Sequence, residues 1–251
     1  MSGKKVKPIK FVGPLAKLAS TLPFLIGKGK EVDKLMEKDY YGESVELGYR
    51  CAKEWCKTVC DRLKVNIIVH NPENLPEGGG HVYVCNHQGM FDIVSLLVIT
   101  KEPTGAIAKK EFEKFPILGP WVRRLHGVFI DRTNARTAVD SIKYGVANIK
   151  NGVSMMIFPE GTRSRDGVLQ EFHKGSFKLA TGAKADIIPI AFIGSNEVVE
   201  AEGEFKENVD IHIYVHEAIK TSDMSREELV ALPKMVEDII RHTLEENTKT
   251  E

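Results

Sequence analysis

Apolar residues recur along the chain in two rhythms. Runs that are apolar at nearly every position predict buried strands over Val65–Val69, Val82–Cys85, Gly105–Lys109, Gly127–Arg132, Val153–Phe158, Ala185–Phe192 and Val209–Val215. Spacings of three and four predict helices between them. One covers about Glu43 to Leu63, with Val45, Tyr49, Ala52, Cys56, Val59 and Leu63 on a single stripe. Another follows Asp92 through Ile93–Ile99, and a third runs from Glu111 to Leu125, interrupted by Pro116 and Pro120. A fourth spans Ala135–Lys150 with Val139, Ile142, Val146 and Ile149 on one face, and a short one spans Gly175–Ala183. A tail helix starts near Ser225, where Glu228 three residues on suits a capping box, and Pro233 is expected to kink or restart it. Strands alternating with helices give an α/β fold with a mixed central sheet flanked by helices.

The N-terminal stretch Phe11–Gly27 follows neither rhythm cleanly. Phe11, Leu15, Leu18, Leu22 and Leu25 recur at helical spacing, although Pro14, Lys17, Ser20, Thr21 and Pro23 interrupt the run. Residues 1–30 hold seven lysines and no acid. An apolar stripe flanked by lysines suits a segment lying in a membrane interface, and it equally suits a helix packed on the domain behind it. The chain therefore divides into an N-terminal two-helix segment, 1–63, and an α/β domain, 64–251.

Composition narrows the classes. The 251 residues, 42% hydrophobic and 28% charged, suit one α/β domain able to bury a full core. Net charge is zero, so no overall field points to nucleic acid. No run reaches the ~18 apolar residues of a membrane-spanning helix, and no secretory signal is expected. Cys51, Cys56, Cys60 and Cys85 form no Cys-x-x-Cys pair, which fits a reduced, intracellular protein.

Candidate chemistry sits where strands end. After Val82–Cys85 come Asn86-His-Gln-Gly-Met-Phe-Asp92, with His87 and Asp92 five residues apart. An imidazole accepts a proton near neutral pH, and a carboxylate on its other nitrogen fixes the tautomer. The plainer alternative is a capped turn with Asp92 in the first turn of a helix, favoured by the dipole. No Gly-x-Ser-x-Gly elbow occurs, so His87 suits activation of a substrate hydroxyl better than of an enzyme nucleophile. The second loop is Phe158-Pro-Glu-Gly-Thr-Arg-Ser164. Its Gly161 lets backbone approach an anion, Arg163 offers a planar fork for phosphate, and Glu160 could orient a cation. Lys109 and Arg132 end two further strands, as expected of a site assembled along one sheet edge.

These segments resemble the conserved blocks of the glycerolipid acyltransferases. Asn86–Asp92 is similar to their His-x-x-x-x-Asp block, Gly127–Arg132 to the second, Phe158–Ser164 to the third and Ile187–Ile190 to the fourth. The two-helix N-terminus is similar to that of bacterial 1-acylglycerol-3-phosphate acyltransferases. Many members carry serine where this chain has Gly89. The resemblance implies acyl transfer from a thioester, of coenzyme A or acyl carrier protein, to the sn-2 hydroxyl of lysophosphatidic acid, without a metal or other cofactor. It implies His87 as general base and Asp92 as its partner. Glu160, Gly161, Thr162 and Arg163 would belong to the acceptor site, Lys109, Arg163 and Arg132 would face the phosphate, and Pro189 would shape the donor side. A backbone amide near Gln88 or Gly89 would serve the oxyanion. The lipid acceptor implies peripheral or monotopic docking at the cytoplasmic face of an anionic membrane through the N-terminal helices. The same motifs leave open another acceptor, such as glycerol-3-phosphate or a different lysolipid. Two more distant readings are a metal-dependent hydrolase using His87, Asp92 and Glu160, and a lipid-binding module without turnover.

Overall fold

All seven apolar runs form strands. The computed structural model of the chain describes residues 12–131, 133–164, 168–199 and 205–247. In chain order the elements are α1 (Val12–Ala19), α2 (Leu22–Met36), α3 (Glu43–Leu63), β1 (Asn66–His70), β2 (Val82–Cys85), α4 (Phe91–Ile99), β3 (Thr104–Lys109) and α5 (Leu118–Arg124). They continue through β4 (Val128–Ile130), α6 (Ala135–Lys150), β5 (Ser154–Ile157), α7 (Lys178–Ala183), β6 (Ile187–Ile193), β7 (Asp210–Val215) and α8 (Arg226–Asn247). The sheet is seven-stranded in the order β1-β7-β6-β2-β5-β3-β4. Every pairing is parallel except β6 with β7, so the sheet is mixed, as expected.

The pleat sorts β2 onto two cores. Tyr83 and Cys85 face one side, where Tyr49, Cys56 and Leu63 of α3 and Leu96 and Leu97 of α4 pack with them. Val82 and Val84 face the other side, against Ile149 of α6, Leu179 of α7 and Leu232, Val236 and Ile240 of α8. With both faces covered, a parallel strand needs apolar residues at every position, which is why VYVC is wholly buried. The stripe anticipated on α3 is buried at all six positions. Residues before position 64 thus share a core with the sheet. All four cysteines are buried and free.

Two expectations at the termini are corrected. The Phe11–Gly27 stretch is not one helix: Pro23 occupies the first turn of α2, a position that needs no N–H, and the chain turns at Ser20-Thr21 before it. Of the anticipated stripe, Leu18 packs against the α3 side of the core and Leu25 against Cys51, Ala52 and Trp121. Phe11 and the side chain of Leu15 lie outside the described residues. At the other end the helix does not restart at Pro233, and α8 continues through it. Its stripe of Leu232, Val236, Ile240 and Leu244 is buried against the sheet, and that packing outweighs the lost backbone bond. The capping box is present: the Ser225 N–H donates to Glu228 at 2.7 Å and the Glu228 N–H to Ser225 Oγ at 3.3 Å.

His126 closes α5 in the left-handed region, φ 55°, with its ring between Tyr40 and Tyr41. The side chain is 1% exposed and neither nitrogen has a hydrogen-bond partner among the described residues. Burial pushes its pKa down from 6.5 to about 4. A His whose folded pKa is depressed leaves stability intact above the unfolded value and removes it as pH falls toward the folded one. Between pH 6.5 and 4 the chain is therefore expected to lose up to about 3 kcal/mol through this residue. Urea unfolding across that range checks it: His126→Asn, which tolerates the left-handed backbone, flattens the slope.

Candidate active site

Five parallel strands, β4-β3-β5-β2-β6, deliver their C-terminal ends to one edge of the sheet. The loop after β2 is held there from both sides. Asn86 bridges to β6, its Nδ2 donating to the Phe192 carbonyl at 3.0 Å while its Oδ1 accepts the Phe192 N–H at 2.7 Å. The His87 N–H donates to Glu160 Oε1 at 2.6 Å, and the His87 carbonyl accepts the Ser164 N–H at 2.7 Å. His87 is thereby fixed in position by its backbone before its side chain makes any contact.

The ring of His87 lies on Phe158, centroids 4.1 Å apart with 23° between planes. Its Nδ1 is 2.8 Å from Asp92 Oδ2. That same oxygen accepts the Gln88 N–H at 2.8 Å and the Gly89 N–H at 2.9 Å, while Oδ1 accepts the Ser195 hydroxyl. Backbone N–H groups only donate, so Oδ2 is an acceptor and the proton on the imidazole sits at Nδ1. Nε2 is left as the basic nitrogen. Asp92 is wholly buried, whereas the His87 side chain keeps 18% of its exposure. Both readings of Asp92 hold together: it lies in the first turn of α4 and it orients the imidazole.

The third-block loop differs from expectation at Glu160. This carboxylate is buried and faces inward, accepting the His87 N–H, the Ser164 hydroxyl and the Gln170 N–H, the last at 2.9 Å. It ties this loop to the β2 loop. Burial pushes its carboxyl above the ordinary range, against the pull of those donors and of the neighbouring His87. Gly161 has φ 75°, a conformation that costs glycine nothing, and carries the chain outward to exposed Thr162 and half-buried Arg163. Lys109, the last residue of β3, is exposed and lies 3.1 Å from Glu111. Arg132 lies outside the described residues. Pro189 is buried inside β6, opposite Val84, rather than at the strand's end.

Further corrections concern amides and ligands. The N–H groups of Gln88 and Gly89 are both spent on Asp92, so neither is available to an oxyanion. Among the described residues no three His, Cys, Asp or Glu side chains are placed to hold a metal ion. Asn86, Phe158 and Ser195 shape the site without having been singled out for those contacts. Ser195 lies 103 residues from Asp92 in sequence, and only the pairing of β6 with β2 brings them together.

A family model described as Acyltransferase matches residues 66–193, which contain the whole of this arrangement except Ser195. The acl-2 protein of Caenorhabditis elegans is 30% identical over 209 residues, covering 82% of this chain and 73% of that one. The chloroplastic 1-acyl-sn-glycerol-3-phosphate acyltransferase LPAT1 of Arabidopsis thaliana is 34% identical over 175 residues, 68% of this chain and 48% of that one. The chain thus spans about half of the plant protein's length. Among solved structures, the 1-acyl-sn-glycerophosphate acyltransferase PlsC of Thermotoga maritima superposes with a TM-score of 0.75 at 26% identity, covering 94% of this chain and 98% of that one. The chain belongs to the acyltransferase family.

Proposed function

We propose that the chain transfers a fatty acyl group from an acyl thioester to the sn-2 hydroxyl of 1-acyl-glycerol-3-phosphate, giving phosphatidic acid and a free thiol. The observation that carries this reading is the His87–Asp92 pair, held with Nδ1 protonated and Nε2 basic at the sheet edge. The activity printed for the Arabidopsis and Thermotoga relatives supplies the acceptor.

His87 Nε2 takes the proton of the acceptor hydroxyl as its oxygen bonds to the thioester carbonyl carbon. Asp92 stabilises the imidazolium that forms. The tetrahedral adduct then collapses, the carbon–sulfur bond breaks, and the imidazolium returns its proton to the departing thiolate. The protein needs no acyl-enzyme. Arg163 would take the acceptor phosphate, with Lys109 and Arg132 as further candidates and Gly161 and Thr162 in the same loop as Arg163. Glu160 acts on the reaction through the His87 backbone rather than on the substrate.

Ser195 is a positioning residue, since it reaches the reaction only through Asp92. Ser195→Ala is expected to lower kcat about three- to tenfold, the worth of one such hydrogen bond, and to leave KM unchanged. Steady-state kinetics with the acceptor varied separates the two constants. No helix among the described residues is long and apolar enough to cross a membrane, and association with a membrane face through surface contacts fits a lipid acceptor. An acceptor panel tests the reading. With one acyl-CoA donor, 1-acyl-glycerol-3-phosphate is expected to be acylated well ahead of glycerol-3-phosphate and a zwitterionic lysolipid. Preference for either of the latter would reassign the acceptor.

A further inference from the structure

The face of His87 is engaged as well as its edge. Phe158 follows β5 directly and belongs to the core that holds Tyr83 and Cys85 of β2 and Phe91, Leu96 and Leu97 of α4. Only 7% of it is exposed. Its backbone is fixed too: the Phe158 carbonyl accepts the Gly161 N–H at 3.1 Å, and the carbonyl of Pro159 accepts the His173 N–H at 3.0 Å. The phenyl ring is therefore a rigid shelf, and the imidazole lies on it at 4.1 Å with 23° between planes. The hydrogen bond from Nδ1 to Asp92 sets the direction of the imidazole within its own plane, and the stack on Phe158 sets its tilt.

The chemistry asks more of that shelf than rigidity. A base that accepts a proton at Nε2 becomes a cation, and Phe158 shuts one face of that cation off from water. An aliphatic shelf would withhold solvation from the charge and return nothing. An aromatic face is the negative part of the ring's quadrupole, and it attracts a cation held within about 6 Å of the centroid. Two carboxylates also bear on His87, Asp92 from α4 and Glu160 from the loop after β5. Asp92 shares its charge among four donors, the Gln88 and Gly89 amides, the Ser195 hydroxyl and His87 itself. Glu160 meets the His87 backbone N–H, the Ser164 hydroxyl and the Gln170 N–H. The π face beneath the ring adds to these, and it acts on the imidazolium far more than on the neutral imidazole, which carries no net charge for it to attract.

We infer that Phe158 is a positioning residue whose ring face stabilises His87 in its protonated form. The stabilisation stands on the stack; only its effect on the rate rests on the reaction proposed above. The test keeps the shape of the ring and changes its charge distribution. Mono-, di- and trifluorinated phenylalanine are placed at position 158 of the full chain, each fluorine draining the negative face while leaving volume and packing nearly unchanged. The His87 Cε1–H resonance is followed by NMR against pH, with His87→Gln identifying it. Its midpoint is expected to move toward acid step by step, by about half to one pH unit at the trifluorinated ring, which is a loss of about three- to tenfold in proton affinity. The turnover number kcat is expected to fall in the same order, by up to about tenfold, with acceptor KM unchanged. A ring that served only to fill space would move neither. A midpoint that holds still through the series would overturn the inference, whatever the rates do. A midpoint that moves while kcat stays flat would support it and count against His87 as the base.

Discussion

Asp92→Ala is expected to abolish transfer and to weaken the fold at once. Four donors converge on this one buried carboxylate: the Gln88 and Gly89 amides, His87 Nδ1 and the Ser195 hydroxyl. The hydroxyl can rotate away, and the imidazole can change tautomer, but the two amides belong to a backbone fixed by Asn86 and Glu160. Left unpaired, each costs about 1–3 kcal/mol, so thermal or urea unfolding should register a loss of about 2–6 kcal/mol. Activity should fall roughly 10⁴-fold, because an imidazole freed of its partner no longer holds its proton on Nδ1. Asp92→Asn separates the two effects. Its amide oxygen must face the two backbone donors, which sends its NH₂ toward Ser195, an acceptor able to receive it. The fold and tautomer are then retained and only the negative charge is lost. A drop nearer tenfold is expected, with stability within about 1 kcal/mol of wild type.

His87→Ala is the second large effect, and it should spare the fold. The side chain is partly exposed, and the contacts that lock this residue run through its backbone to Glu160 and Ser164. Removing the ring takes away its stacking on Phe158 and the proton acceptor, and leaves the loop in place. General-base catalysis contributes about 10²–10⁴-fold, so kcat should drop by that much while acceptor KM changes little. Circular dichroism and unfolding curves close to wild type would show that the loss is chemical.

Much of this was legible in the chain because buried parallel strands leave a blunt signature. VYVC and IIPIAFI read as strands since both faces of the sheet are covered and no polar position interrupts them. The α3 stripe was legible for the complementary reason, a single buried face repeating at helical spacing. Local signals failed where packing or a single residue overrode them. Pro23 starts a helix instead of merely breaking one, and Pro233 is carried through by the buried stripe around it. The site divides along the same line. His87 and Asp92 belong to one short contiguous motif and Arg163 to another, so each could be picked out as a candidate from the chain alone. Glu160 was legible as part of a motif, but the direction of its carboxylate was not, because its donors come from residues 87, 164 and 170 on two separate loops. Asn86 with Phe192, and Ser195 with Asp92, depend on β6 lying beside β2, a strand order that no local pattern encodes.

The central claim is that His87 removes a proton from a lipid hydroxyl so that it can take the acyl group directly. The most direct measurement follows thiol release and phosphatidic acid together, from acyl-CoA and 1-acyl-glycerol-3-phosphate, for the wild type and His87→Ala. The wild type should form one phosphatidic acid for each thiol released, and the variant should form neither above background. Phosphatidic acid made by His87→Ala at a rate near wild type, or thiol released by the wild type without the lipid product, would contradict it.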